Sequence, residues 1–380
     1  MINSRCWKIS ISLLLALFFF ACNSPMKLEK EYLELPQFSG FKGEIVWQKS
    51  LKADQNATGG EFVDGKLLFG TTQNWIYAHN AFTGEKLDRM WANLPVEIPP
   101  AVDDSLLFYA GAGEWNELVA ANIYSGKELW NKTARTIGSK ILSSDSTIYY
   151  ATSSGGIYRL NQKTGEIIAK RRINIGISCD LLIIGDELFI GTRDGNIYIL
   201  DRFELTISKK LSVGSPVAEK FHSLGNKIFT NLENGDLLII DRKELKIVKT
   251  IQQQGEFVTA PLILNNLIIA VNNAGVVSCH QRLEPYEFLW EIRLHELQPE
   301  DFDSTAGYQR SGEASVFASP ATLYGKIIII TYRGSLFVID PETSEIELAK
   351  KIGGRFVKSP QTYGSMLYLF SENSRILGMR

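Results

Sequence analysis

The chain has 380 residues, of which 45% are hydrophobic and 22% are charged, a composition typical of a folded globular protein. Its 40 basic and 42 acidic residues give a formal net charge of −2. This balance argues against a nucleic-acid partner, because affinity for a phosphate backbone comes from neutralising many phosphates with Lys and Arg.

The first 21 residues have the pattern of a secretion signal. Arg5 and Lys8 form a positive region, and the apolar run that follows at 9–20 is too short to span a bilayer comfortably. The alanine before Cys22 resembles the small residue of a bacterial lipobox, in which the cysteine is lipidated after cleavage. We therefore predict a signal peptide at 1–21 and lipid attachment at Cys22. The alternative is an ordinary cleavage that leaves Cys22 incidental.

A pattern of short strands then recurs about every 40 residues. Its clearest copies are GNIYILD at 195–201, GDLLIID at 235–241 and GSLFVID at 334–340. The eight copies end at positions 80, 122, 161, 201, 241, 281, 340 and 380, and the residue four places before each end is aliphatic. A second apolar run precedes each copy, and Asn-Gly or Asp-Gly turns between the two runs are strong β-hairpin signals.

Another strand precedes these two, and a fourth follows them. The first is marked by a proline about twenty residues before the end of the copy, at Pro216, Pro261, Pro320 and Pro360. The last follows a turn, as in SGKELW at 125–130. Four-stranded units of about 40 residues are typical of β-propeller blades, because a single blade cannot bury both of its faces alone.

The two ends of the chain predict the number of blades. The eighth copy stops at Arg380 without a fourth strand, whereas GEIVW at 43–47 matches GKELW at 126–130 and belongs to no complete copy. We therefore predict an all-β fold at 41–380. It is an eight-bladed β-propeller of four-stranded antiparallel blades, with the ring closed by the N-terminal strand. Residues 22–40 are predicted to be a lipid-anchored tether.

Residues of catalytic type do not fall at catalytic or metal-binding spacings. The four histidines occupy separate copies or loops and are interpreted as ordinary strand or surface residues: His79, His222, His280 and His295. Asp201, Asp241 and Asp340 occupy a turn position that Asn fills in three other copies, so we interpret them as structural. Cys179 and Cys279 lie two copies apart and are predicted to stay unpaired. No catalytic residue, metal ligand or cofactor is predicted.

One interval departs from the period. The ends at 281 and 340 are 59 positions apart, so about 19 extra residues lie at roughly 295–314. They join the last strand of blade 6 to the first strand of blade 7 and are predicted to project from one face. Phe302, Tyr308 and Arg310 are residue types enriched at interfaces, and we predict that they form a partner-binding loop. The alternative is a tolerated surface insertion.

The turn and tryptophan of NIYSGKELW at 122–130 resemble the repeat named after pyrroloquinoline quinone (PQQ) enzymes. In that family the tryptophan packs against the neighbouring blade. Trp47 and Trp130 match its position, and Trp91 and Trp290 are displaced from it. Four blades have another residue there: Ala169, Lys209, Lys249 and Leu348. The quinoprotein dehydrogenases of this family carry an adjacent pair of cysteines, and this chain has no such pair.

Length, the lipobox-like cysteine, eight blades and N-terminal closure are together similar to the family of outer-membrane protein assembly factor B, the scaffold lipoprotein of the β-barrel assembly machinery. The resemblance implies a non-catalytic, monomeric scaffold, anchored by lipid in the outer membrane and facing the periplasm. It would bind protein partners, including barrel-assembly subunits. The alternative is a PQQ- or sugar-binding propeller that acts as an oxidoreductase or a ligand sensor.

Overall fold

The computed structural model describes residues 26–34, 36–52, 56–92, 94–111, 116–253, 255–297 and 314–380. Within these ranges, 32 strands form eight four-stranded antiparallel sheets. The sheets are the blades of a ring, so the predicted all-β, eight-bladed propeller is confirmed. No helix in the described part of the chain is long and apolar enough to cross a membrane.

The strands follow one another in chain order through the blades. The N-terminal strand is β1 (Ile45–Ser50). Blade 1 is β2 (Ala57–Val63), β3 (Lys66–Thr71), β4 (Trp75–Asn80) and β5 (Lys86–Trp91); blade 2 is β6 (Ala101–Asp103), β7 (Leu106–Ala110), β8 (Asn116–Asn122) and β9 (Glu128–Ala134). Blade 3 is β10 (Leu142–Ser144), β11 (Thr147–Ala151), β12 (Gly156–Asn161) and β13 (Ile167–Arg172); blade 4 is β14 (Leu182–Ile184), β15 (Glu187–Thr192), β16 (Asn196–Asp201) and β17 (Ile207–Ser212).

Blade 5 is β18 (His222–Leu224), β19 (Lys227–Asn231), β20 (Asp236–Asp241) and β21 (Lys246–Gln252); blade 6 is β22 (Leu262–Leu264), β23 (Leu267–Val271), β24 (Val276–Gln281) and β25 (Phe288–Arg293). Blade 7 is β26 (Ala321–Leu323), β27 (Lys326–Ile330), β28 (Ser335–Ile339) and β29 (Ile346–Lys351); blade 8 is β30 (Gln361–Tyr363), β31 (Met366–Ser371) and β32 (Arg375–Met379), completed by β1. A short 3-10 helix, Leu294–Glu296, follows blade 6.

The four strands of a blade are called A to D from the centre outward. Because neighbouring strands are antiparallel, the A–B and C–D turns lie on one side of the disc, and the B–C turns and the D–A connections between blades lie on the other. We call these sides the A–B face and the D–A face.

The N-terminal strand closes the ring as predicted. β1 pairs with β32 in antiparallel register, from Ile45 opposite Met379 to Ser50 opposite Arg375. The pairing continues past Ile45, where the N–H groups of Lys42 and Glu44 donate to the carbonyl of Arg380 at 3.1 and 3.0 Å. Blade 8 therefore gains its outer strand from the opposite end of the chain.

The hydrophobic core lies between blades. Among the described residues, eight clusters of buried side chains occupy the eight junctions of adjacent blades. A central strand serves two of them: in β23, Ile268 packs toward blade 5, and Ile269 packs toward blade 7. Side chains of a strand alternate between its two faces. The middle strands are therefore apolar at nearly every position, which is why the repeat is so legible in the sequence.

The acidic turn residues are structural, as predicted. The Oδ1 atom of Asp201 accepts the N–H groups of Phe203 at 2.9 Å and Glu204 at 2.8 Å. The same Asx turn recurs in five other blades, at Asn80, Asn122, Asn161, Asp241 and Asp340. Cys179 and Cys279 are buried and unpaired, which confirms that prediction as well.

Tryptophans of the outer strands reach across to the next blade. The indole Nε1 of Trp47 donates to the carbonyl of Ala81, and that of Trp130 donates to Gln162, both at 2.9 Å. Trp290 makes the same bond to Pro341 at 3.0 Å, although it is displaced by one position in the sequence. The turn before Trp290 is one residue longer than its counterpart in blade 2, which restores the spatial position.

Trp47 and Trp130 lie against a glycine in the turn of the next blade, whereas the turn that Trp290 bonds to has Ser344 at this position. A Cβ on Gly84 would lie 2.5 Å from the Trp47 ring, and one on Gly165 would lie 2.6 Å from the Trp130 ring. Where blade 3 lacks the tryptophan, the turn residue of blade 4 fills the space instead. Leu205, which is fully buried, packs at the junction where blade 3 has Ala169. At this junction, side-chain volume that is missing at the tryptophan position of one blade is supplied by the turn residue of the next blade.

The junction of blades 1 and 2 is filled by the segment before the propeller. Blade 1 has Asp88 where other blades have tryptophan, and its carboxylate accepts the N–H of Lys27 at 2.7 Å. Met26 and Leu28 are 1% and 5% exposed and belong to the core cluster of this junction. The N–H of Leu28 also donates to the carbonyl of Ile123 at 2.9 Å. Part of the predicted tether is thus packed against the disc.

One proline of the predicted set is out of register. Pro261, Pro320 and Pro360 immediately precede β22, β26 and β30. The equivalent place before β18 is taken by Phe221, and Pro216 lies five residues earlier, in the D–A connection. Phe221 is 4% exposed and packs at the junction of blades 4 and 5, so an aromatic side chain occupies the place of the proline ring.

Candidate functional site

The site residues predicted from the sequence lie outside the described residues. These are Cys22 and the three residues of the insertion, Phe302, Tyr308 and Arg310. Leu297 and Ala314 flank the part of the insertion that is not described, and both belong to the connection between β25 and β26. The insertion is therefore part of a D–A connection. Among the described residues no group of three or more His, Cys, Asp or Glu is placed to hold a metal ion.

A cavity of about 410 Å³ lies at the centre of the ring, at the D–A face. It is lined by residues that come just before, or at the start of, the innermost strands of all eight blades. Its charged lining residues are Lys140, Asp180, Glu219, Lys220 and Lys358. Rigid strands on every side therefore position a compact group of charges where eight connections converge.

Equivalent positions of the eight blades form a ring around this cavity. Each blade contributes the residue that stands two places before its inner strand; because β2 is longer than the other inner strands, its position is set by its pairing with β3. These residues are Gly59, Pro99, Lys140, Asp180, Lys220, Ala260, Ser319 and Ser359. Backbone N–H groups donate to the side chain of the next blade: Lys140 to Asp180 at 2.9 Å, Ala260 to Ser319 at 2.8 Å and Ser319 to Ser359 at 3.0 Å. We call this set the central ring.

Glu219 reaches across the mouth of the channel. It precedes Lys220 in blade 5 and has a φ of 57°, in the left-handed region that side chains other than glycine seldom adopt. Its carboxylate accepts hydrogen bonds from the hydroxyls of Ser319 and Ser359, in blades 7 and 8, and from the N–H of Ala260 in blade 6. One side chain thereby connects four blades, which over-determine its unusual backbone conformation.

The three lysines of the cavity have different partners. The ammonium of Lys140 lies 3.3 Å from Asp180, and that of Lys220 lies 4.0 Å from Glu219. Lys358 has no carboxylate within 4 Å among the described residues, and its ammonium donates to the carbonyl of Ala57. An ammonium has three protons to donate. The cavity lining therefore holds three cations and two carboxylates, and Lys358 is the cation with no described carboxylate within 4 Å, since Glu372 and Glu97 act on it from farther away.

Burial and neighbouring charges shift the acidities around the ring. Burial raises the pKa of Glu61, on the inner strand of blade 1, to about 7, against the weaker effect of Lys140. Burial also lowers the pKa of Lys358. It acts to raise the pKa of Glu219, but Lys220, the Ser319 hydroxyl and the Ala260 N–H together hold that pKa below its usual value. The pKa of His222 falls to about 4, mainly through burial.

Apolar side chains line the cavity on blades 6 to 8. Val258, Phe317 and Val357 come from the connections that lead into blades 6, 7 and 8. Val258 is 36% exposed and Phe317 is 39% exposed, so both present apolar surface at the mouth. The ring of Phe317 is fixed by an edge-to-face contact with Tyr332, with 5.5 Å between ring centroids. Charge on blades 3 to 5 thus faces apolar surface on blades 6 to 8, with Lys358 of blade 8 next to Val357 on the apolar side.

Sequence reasoning missed this site, although a signal for it exists. In seven of the eight copies the central-ring residue stands 21 positions before the end of the copy; in blade 2 the interval is 23. Most copies have a small residue or serine there, and blades 3 to 5 have Lys140, Asp180 and Lys220. Three consecutive charged residues in one column of a repeat indicate that these blades meet at a polar place.

Comparisons with known proteins agree with the geometry. The family model described as outer membrane protein assembly factor BamB matches residues 37–176, a range that contains β1 and blades 1 to 3. The crystal structure of BamB from Moraxella catarrhalis superposes with a TM-score of 0.71 at 15% sequence identity, covering 89% of this chain and 97% of that one. The chain is a PQQ-like β-propeller that resembles BamB.

Other propellers superpose as well. The computationally designed protein Ika8 gives a TM-score of 0.71 at 14% identity, covering 89% of this chain and 99% of that one. Sqt1 from Saccharomyces cerevisiae gives 0.69 at 10% identity, covering 89% of this chain and 98% of that one. A search of curated proteins found no significant match. At these identities the superpositions establish the fold of the propeller, and they do not extend to what it binds.

Proposed function

We propose that the protein is a non-catalytic scaffold lipoprotein that binds partner proteins during the assembly of outer-membrane β-barrels. The observation that supports this most is the match of the BamB family model to residues 37–176, within a ring of the same architecture as a BamB crystal structure. A propeller suits such a role because its strands hold many loops rigidly on one surface. In this proposal the protein is held at the periplasmic side of the outer membrane by lipid on Cys22.

The packed N-terminal segment gives the proposal an orientation. Cys22 precedes Met26 by four residues, and four extended residues span at most about 14 Å. From Met26 onward the segment contacts the A–B face, through bonds such as that from the N–H of Leu33 to the carbonyl of Asp64 at 3.0 Å. A lipid on Cys22 would therefore keep the A–B face near the membrane and turn the D–A face toward the periplasm.

The partner-binding surface belongs, in this proposal, to the D–A face. The insertion with Phe302, Tyr308 and Arg310 is part of a D–A connection, and the N-terminal segment contacts the opposite face. Aromatic and arginine side chains are the types that contribute most to binding at protein interfaces. These three residues are the proposed anchors of the contact.

Crosslinking followed by affinity purification from membranes tests the function. The wild-type protein is expected to recover barrel-assembly subunits. A variant in which all three anchors are replaced, by Phe302→Ala, Tyr308→Ala and Arg310→Ala, is expected to recover none of these subunits. The variant protein itself is expected to stay in the membrane fraction. Cys22→Ala is expected to release the protein from membranes and to preserve binding to partners in detergent extracts.

Three outcomes would contradict the proposal in whole or in part. Recovery of no barrel-assembly subunit from wild-type membranes would remove the assigned function and leave the fold untouched. Stoichiometric, calcium-dependent binding of PQQ with reduction of a dye would replace the scaffold with the alternative, an oxidoreductase. Unchanged recovery by the triple variant would remove the insertion from the interface.

A further inference from the structure

The central cavity combines features that a scaffold does not require. Lys140 and Lys220 line a space of about 410 Å³ from blades 3 and 5, and Lys358 lines it from blade 8, together with the carboxylates of Asp180 and Glu219. Buried charges that lack a partner are costly, so natural proteins keep few of them without a purpose. This volume falls within the range of pockets that hold small molecules.

Lys358 is the strongest sign of a ligand. It comes from the connection into blade 8, and among the described residues its ammonium donates only to the carbonyl of Ala57. Lys140 and Lys220 each lie within 4.0 Å of a carboxylate, whereas no described carboxylate lies this close to Lys358, and Glu372 and Glu97 act on it from farther away. An anion placed in the cavity would give this ammonium a charged hydrogen-bond acceptor at close range.

Glu219 limits how that anion is held. Its carboxylate is already bonded to Ser319, Ser359 and the Ala260 N–H. Because it carries negative charge into the same cavity, a ligand with several dispersed negative charges would meet repulsion. A ligand with a single anionic group close to Lys358 gains the attraction of the ammonium with the least repulsion from Glu219.

The apolar residues of the cavity determine the chemistry of the non-ionic part of the ligand. Val258 and Phe317 are each exposed by more than a third, and both line the cavity opposite the charged residues of blades 3 to 5. Removing such surface from water is favourable by about 25 cal/mol per Å². A ligand with an apolar body would cover both side chains.

We propose that the central cavity binds a small organic monoanion with an apolar body, of the class of aryl- or alkyl-substituted carboxylates. The carboxylate lies against Lys358, and the apolar body packs on Val258 and Phe317. Such a ligand would be bound at the D–A face.

The test uses 3-phenylpropanoate as the probe, titrated into the purified propeller by calorimetry and ligand-detected NMR. Saturable one-to-one binding with a dissociation constant of about 1 mM or lower is expected. The neutral analogue 3-phenylpropanamide is expected to bind about tenfold more weakly, because it cannot form the charged hydrogen bond. Inorganic phosphate is expected to bind more weakly than 3-phenylpropanoate, because it has no apolar body.

The variant Lys358→Met is expected to lose about tenfold in affinity for 3-phenylpropanoate and none for the amide. This variant should fold, because it removes a buried charge and keeps the length of the side chain. A second variant, Phe317→Ala, changes a partly exposed position and is expected to lower the affinity for both the carboxylate and the amide. The matched control is Lys246→Met, an exposed lysine on the outer strand of blade 5. Equal affinity for carboxylate and amide, equal affinity for phosphate, or no saturable binding would each overturn the proposal.

Discussion

The two faces of the disc differ in what covers them. The A–B face carries the chain's own N-terminal segment, which bonds to turns of several blades: the Tyr324 hydroxyl donates to the carbonyl of Phe38 at 2.7 Å, and the Ser365 hydroxyl donates to that of Pro36. The D–A face carries the charged cavity and the connection with the insertion. One face is therefore joined to the closure of the ring, and the other presents partly exposed charged and apolar side chains around a cavity.

The largest expected effect concerns closure. Trp47 is 8% exposed, packs between blades 8 and 1, and donates to the carbonyl of Ala81. Trp47→Ala is expected to lower the free energy of unfolding by about 4 kcal/mol, because it leaves a cavity at the joint and removes one of the two hydrogen bonds to the Ala81 carbonyl, the other coming from the Tyr368 hydroxyl. Denaturant titration measures it. Trp91→Ala, at a position 36% exposed, is the control and should cost less than about 1 kcal/mol. Equal losses would contradict the role of Trp47.

The next effect separates backbone strain from packing. Gly84 has a φ of 68°, and an added Cβ would lie 2.5 Å from the Trp47 ring. Gly185 has a φ of 58° and no atom within 4 Å of the same addition. Gly84→Ala is expected to cost about 3 kcal/mol and Gly185→Ala about 1 kcal/mol. If thermal unfolding gives the same loss for both, the close approach of Trp47 does not determine the residue at position 84.

The D–A side is expected to respond to pH through Glu61. Its pKa in the folded protein is raised to about 7 from 4.5. The folded state therefore holds a proton that the unfolded state has released, and stability falls as the pH rises from about 4.5 to 7 and is level above. Glu61→Gln is expected to gain about 2 kcal/mol relative to wild type at pH 8 and little at pH 4. A pH-independent difference between the two proteins would contradict this assignment.

The smallest effect concerns the packed N-terminal segment. Leu28→Ala is expected to lower stability by about 1 kcal/mol, since it loosens a peripheral segment and leaves the ring closed. Hydrogen exchange should become faster at the N–H of Leu28, which bonds to Ile123, and stay unchanged in the middle strands of blades 4 and 5. Tyr32→Ala, at a residue 53% exposed, is the control. Loss of protection throughout the ring would mean that the segment is part of the closure itself.

Much of the fold was predictable because the middle strands are buried on both faces. Runs such as that of β23 must be apolar at nearly every position, and the orphan strand β1 had one open edge to occupy, at β32. The exchange between tryptophan and turn residue was harder to see. Ala169 and Leu205 compensate each other across a junction, and no single repeat records that relation.

The cavity could not be assembled from the sequence in the same way. Lys140, Asp180 and Lys220 are about 40 residues apart, and each looks like an ordinary surface residue in its own copy. Lys358 and Glu219 occupy equivalent positions in blades 8 and 5 but have opposite charges. A comparison of residue types between the copies therefore does not connect them. Their meeting depends on the radius of the ring and on the unusual backbone of Glu219.

The difference between the faces is tested most directly by placing a photo-crosslinking amino acid at single exposed positions and irradiating intact cells. Glu233 and Arg333 lie in B–C turns on the D–A face, and Asp186 and Lys243 lie in A–B and C–D turns on the opposite face. We predict discrete protein crosslinks from Glu233 or Arg333 and none to the same partners from Asp186 and Lys243. The same partner captured from the A–B face alone would contradict it.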